Sequence, residues 1–86
     1  MFYLYGTAIS AADARYLLTA LGAVGSMHAM DAAERIALGI TGRRNTVPLS
    51  HEMQDAVYVA LSGDPPDALV ELRGKVARKT LLTREW

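Results

Sequence analysis

Ala14, Leu17, Leu18 and Leu21 fall at i, i+3, i+4 and i+7, the spacing that gathers apolar side chains on one face of an α-helix. That pattern returns around Ala33, Ala37 and Ile40, again through Met53, Val57, Ala60 and Leu61, and again through Leu69, Leu72 and Val76. Four one-faced segments in 86 residues leave room only for short helices that bury their stripes against one another. The expected fold is therefore mainly α: one domain over residues 1–86, built as a small four-helix domain of two helical hairpins.

Capping residues set the expected boundaries. The first helix opens at Ser10, with Asp13 at the third helical position, and stops at Gly22. The second starts at Ser26 or at Asp31, where Asp31 and Glu34 make a capping-box pair. The earlier start would add Met27 and Met30 to the apolar face, although Ala29, Ile36 and Ala37 fit nearly as well. Gly39 followed by Ile40 reads as its Schellman ending. Ser50 caps the third helix, with Ala56 beside its inner face and Gly63 as its stop. Asp64, Pro65 and Asp67 restart the chain as cap, first and third positions of the fourth helix, which turns Ala77 inward and has Val70 and Leu81 at its flanks. Gly74 weakens its middle by about 1 kcal/mol relative to alanine.

Ahead of these helices, Met1–Tyr5 alternates and is rich in β-formers, so it reads as a short strand broken by Gly6 and Thr7. Its expected partner in a two-stranded ribbon is Thr46–Leu49, which Pro48 confines to a sheet edge. Pairs shared by the two halves, Ile9-Ser10 with Leu49-Ser50 and Ala20-Leu21 with Ala60-Leu61, suggest a duplication; ordinary capping and periodicity produce the same likeness.

Chemistry-bearing patterns are scarce. There is no cysteine, so neither a disulfide framework nor a thiolate zinc site is available. His28 and His51 sit at the starts of different helices and form no HxxxH pair; both read as exposed first-turn residues rather than ligands. Ser10, Ser26 and Ser50 stand where N-caps belong, and no GxSxG or phosphate-binding glycine loop occurs. The expectation is a protein that is not an enzyme and carries no cofactor or metal. The leading segment has neither the basic start nor the apolar run of a signal peptide, and no stretch approaches the ~20 apolar residues of a membrane span. A cytoplasmic protein with no membrane partner is expected.

Formal net charge is zero, yet Arg73, Lys75, Arg78, Lys79 and Arg84 face only Glu85 at the end of the chain. Acids leading and bases ending a helix suit its macrodipole, and Glu71 with Lys75 is a favourable i, i+4 pair; phosphate contact is the functional alternative. A helix-turn-helix across the first two helices would read bases with Met27, His28, Met30 and Asp31, a set without the bidentate side chains that base recognition uses. Tyr3 and Tyr5 alternate with Phe2 and Leu4, so one pair is left for an interface. The candidate interaction surface is Tyr3, Tyr5, Arg43, Arg44, Arg73, Lys75, Arg78, Lys79 and Trp86. Fourteen alanines against six aromatic residues promise little burial per residue in a chain that hides only about 60% of its unfolded surface. A homodimer acting as a protein–protein interaction module is the leading expectation, and a small DNA- or RNA-binding regulator using the basic end is the alternative.

Arginine outnumbers lysine seven to two, with one Asn and one Phe beside abundant Ala and Gly. In this GC-rich composition the chain resembles the small orphan proteins of actinobacteria and their phages. The resemblance implies a phage or mobile-element accessory protein that occupies a surface on a host macromolecule. It transfers no functional residue.

Overall fold

A β-hairpin comes first. The computed structural model describes residues 2–42 and 48–84, and side chains over 3–42 and 48–76. In it β1 (Phe2–Leu4) runs antiparallel to β2 (Thr7–Ile9), with Phe2 opposite Ile9, Tyr3 opposite Ala8 and Leu4 opposite Thr7. Tyr5 and Gly6 form the two-residue turn with φ of 51° and 77°, both positive as a type I′ hairpin requires. Glycine adopts this freely; for Tyr5 the left-handed region costs about 1–2 kcal/mol, against which its ring packs on the core. The ribbon is thus a local hairpin. Gly6 reverses the chain with Tyr5 and Thr7 opens the second strand, so neither ends the ribbon, and the described part of the expected distant partner, Pro48 and Leu49, is not strand. Thr46 and Val47 lie outside the described residues.

Four helices follow: α1 (Ala11–Val24), α2 (Met27–Thr41), α3 (His51–Ala60) and α4 (Asp67–Arg84). Ser10, Ser26 and Ser50 each accept a hydrogen bond on the side-chain oxygen from the backbone N–H three residues on, satisfying one of the donors a helix start leaves open. Ser26 therefore starts α2, and Asp31 lies within it. The expected stops move outward. Gly25, at φ 72°, ends α1 with its N–H on the Leu21 carbonyl, while Gly22 stays helical. Gly39 is buried inside α2, which runs on to Thr41 and Gly42. Leu61, not Gly63, closes α3. At the last restart the Pro66 carbonyl accepts from Leu69 and Val70, so the helix begins two residues later than Asp64 and Pro65 suggested.

The hairpin turns Leu4, Thr7 and Ile9 inward, where they join Leu17 and Leu21 of α1, Ile36 of α2, Val57 and Leu61 of the α3 end, and Leu69, Leu72 and Val76 of α4 in one core. Each fully buried aliphatic contributes about 1.5–3 kcal/mol. Helix α3 packs against α1, α2 and α4, and β2 rests on α4. The pairs α1–α2 and α3–α4 are the two hairpins. Two polar ties fix the approach to α3: the Arg35 guanidinium donates to the Pro48 carbonyl at 3.1 Å, and the buried Gln54 amide to the Leu49 carbonyl at 3.0 Å.

Candidate interaction surfaces

The side chains expected to form one surface are not used alike. Tyr3 is exposed on the outer face of the hairpin. Tyr5 is half-buried, and burial of its phenol raises its pKa from 10.0 to about 12. Arg73 is half-buried and donates to the Leu61 carbonyl at 2.9 Å and to that of Gly63 at 3.5 Å, which commits it to the α3–α4 connection. Lys75 pairs with Glu71 at 3.6 Å. Arg43, Arg44 and Trp86 lie outside the described residues, as do the side chains of Arg78 and Lys79. Neither Tyr5 nor Arg73 is therefore a free contact residue.

An exposed apolar surface lies on α2, and it includes the two methionines that the earlier helix start would have added to the inner face. Met27 is 74% exposed, Leu38 64% and Met30 62%. At 100° per residue, Met27, Glu34 and Leu38 form one line along the helix, with Met30 about 60° to its side. Of the residues the sequence offered for the inner face, Ala29 and Ile36 are buried while Ala33, Ala37 and Ile40 are half-buried; the face turned to the core is Ala29, Ala32, Ile36 and Gly39. Three of those four have almost no side chain, so they carry little hydropathy, and the methionines dominated the pattern. Small residues let α2 lie close against its neighbours, and close approach takes the place of bulk.

The first turns of α2 and α3 hold most of the remaining chemistry. Glu52 is exposed, and its carboxyl sits below the usual carboxylate range. Its own backbone N–H lowers it most, then the Ser50 hydroxyl, with smaller help from the charges of His28 and His51. Both histidines are exposed, as expected of first-turn residues. Among the described residues no three metal-ligating side chains gather, and no helix is long and apolar enough to cross a membrane.

A second exposed stripe runs along α1. Ala12, Arg15, Tyr16, Thr19, Ala20 and Ala23 line a shallow open groove of about 480 Å³. Gly22 lies on the exposed side of the same helix, with nothing within 4 Å of the position a Cβ would take.

No protein-family model, no curated protein and no solved structure matches the chain.

Proposed function

We propose that this protein is a small non-enzymatic protein–protein interaction module, dimeric, which uses the outer face of α2 to occupy a surface on another protein. The observation behind this reading is the exposure of Met27, Met30 and Leu38 on one arc of one helix. Clustered exposed apolar side chains mark contact sites more often than isolated ones do. Methionine adapts its unbranched chain to irregular partners, and Glu34 within the arc, with Asp31 and Arg35 at its side, adds polar contacts of both signs. The mobile-element role that the resemblance to small orphan proteins implies is compatible with this reading.

The nucleic-acid alternative ranks lower because two of its basic side chains are already engaged, Arg73 with backbone carbonyls and Lys75 with Glu71. It requires salt-sensitive binding of duplex DNA near 150 mM salt, with a slope of about −0.9 per phosphate contacted. Affinity capture from a GC-rich actinobacterial lysate separates the readings. A protein retained by the wild type and by Lys75→Ala, but lost with Met27→Ser/Leu38→Ser, is the expected result. A retained set that the double variant leaves unchanged would overturn the α2 reading.

A further inference from the structure

We infer that Met27 and Met30 form a surface modification site: they take up oxygen from peroxide-class oxidants, and their conversion to sulfoxides turns the outer face of α2 from apolar to polar while the core stays reduced. The site stands apart from the proposed α2 contact; only its consequence, release of a partner held there, rests on that reading.

The chain has four methionines and no cysteine, so no thiolate, the more reactive sulfur group, competes for the oxidant. Met1 lies outside the described residues. Of the other three, Met27 is 74% exposed and Met30 62%, whereas Met53 is 8% exposed and belongs to the core. Met27 and Met30 stand about 60° apart around α2 and about 4.5 Å apart along it, so an oxidant that reaches one thioether reaches the other.

The step is a two-electron oxygen transfer. A lone pair on the thioether sulfur attacks one oxygen of hydrogen peroxide, and the O–O bond breaks as the S–O bond forms. The bound oxygen gives its proton to the departing hydroxide, which leaves as water. Sulfur is oxidised, the peroxide is reduced, and the side chain gains one oxygen. A flexible apolar group has become a polar one.

Position decides what this does to the fold. Met27 is the first residue of α2 after its cap Ser26, and the Met30 N–H bonds to the Ser26 carbonyl. Both side chains are solvent-exposed, so oxidation there removes no core contact. Their sulfoxide oxygens would lie near the helix start, where open N–H groups and the positive pole favour partial negative charge. The same change at Met53 would put an unpaired polar oxygen among apolar side chains. Two of the three large apolar side chains on the α2 arc thus become polar, with Leu38 left.

Graded hydrogen peroxide followed by peptide mapping in a mass spectrometer reads every site in one chain. Met27 and Met30 should each gain one oxygen at similar rates. Met53 should lag by about tenfold or more, because oxidant reaches it only through local opening. The protein oxidised at both surface sites should keep its helical circular dichroism and elute earlier from a phenyl hydrophobic-interaction column. Met27→Leu/Met30→Leu should elute with the unoxidised wild type and show no shift after peroxide. Oxidation of Met53 as fast as the other two, loss of helical signal when only Met27 and Met30 are oxidised, or unchanged elution would overturn the inference. None of these readouts uses a partner. In affinity capture, a protein retained through α2 should be lost when the wild-type bait is oxidised beforehand, and kept by the oxidised leucine variant. Retention by the oxidised wild type would overturn that consequence alone. Failure to retain any protein through α2 would remove the contact reading and leave the oxidation site standing.

Discussion

Arg73 and Leu61 are joined across the α3–α4 connection: the guanidinium donates to the Leu61 carbonyl at 2.9 Å. Leu61 caps α3, and its own N–H turns back to the carbonyls of Val57 and Tyr58, so the arginine satisfies an acceptor that the helix end leaves open. A positive charge there also opposes the negative end of α3.

The first prediction follows. Arg73→Ala should destabilise the domain by about 1–2 kcal/mol, the lower part of the range for a hydrogen bond to a charged group, because the side chain is only half-buried. In a domain of this size that lowers the melting midpoint by roughly 4–8 °C per kcal/mol. Arg73→Lys should recover part of the loss, since an ammonium keeps the charge but not the planar guanidinium whose Nη1 donates to both carbonyls. Thermal melts of the three proteins measure it, and an Arg73→Ala variant that melts like the wild type would show the arginine to be free after all.

Two glycines three residues apart should respond in opposite directions. Gly22 lies inside α1 with open space where a Cβ would stand, so Gly22→Ala should stabilise by about 0.5–1 kcal/mol through reduced chain entropy. Gly25 has a φ of 72°, which an L side chain rarely adopts, and Gly25→Ala should cost about 1 kcal/mol or more despite its uncrowded surroundings. Urea unfolding of both variants is the measurement. Matching shifts of the same sign would place the end of α1 at Gly22.

That end shows what the sequence could and could not disclose. Leu17, Leu21, Leu61, Leu69, Leu72 and Val76 were legible as core because bulky aliphatics at helical spacing have no other economical arrangement. Ser10 and Ser50 were legible as caps because a short hydroxyl side chain before such a stripe meets an open N–H. Gly22 was misread because a glycine inside a helix and one ending it look alike until φ is known. The inner face of α2 was obscured by Ala29, Ala32 and Gly39, whose contribution is closeness and not hydropathy. Gln54 escaped notice because a polar residue becomes buried only when a tertiary partner, here the Leu49 carbonyl, is within reach. The ribbon was expected, but its partner was sought in Thr46–Leu49 because Tyr5 at a positive-φ turn position runs against the residue preferences of a type I′ hairpin. Tyr3 is exposed, as the alternation in the first strand allowed; the exposure of the α2 methionines needed the fold to reveal it.

Stability should fall in base through Tyr5. Burial raises its phenol from 10.0 to about 12, so the folded state holds that proton more tightly than the unfolded chain does. The contribution is intact below about pH 10 and is lost as the pH rises through 12. Urea midpoints recorded across that window should decline more steeply for the wild type than for Tyr5→Phe, which has no proton to lose there. Parallel declines would mean that the phenol is solvated.

A buried hydroxyl supplies the last prediction. Thr7 opens β2 opposite Leu4 and is only 3% exposed. Its Oγ1 has no hydrogen-bond partner among the described residues. A hydroxyl taken out of water without a new partner costs about 1–3 kcal/mol. Valine has nearly the same shape, keeps the β-branch that suits a strand, and replaces the hydroxyl with a methyl that the surrounding core can pack. Thr7→Val should therefore stabilise the protein by about 1 kcal/mol. Thr41 is the control, because its hydroxyl is exposed and already donates to the Ala37 carbonyl at 2.9 Å. Thr41→Val removes a satisfied group at the surface and should change stability by no more than about 0.5 kcal/mol, with loss the expected sign. Denaturant unfolding of the two variants beside the wild type decides the matter. Destabilisation by Thr7→Val would show that the hydroxyl is hydrogen-bonded in solution, and that the hairpin sits on α4 through a polar contact instead of an apolar one.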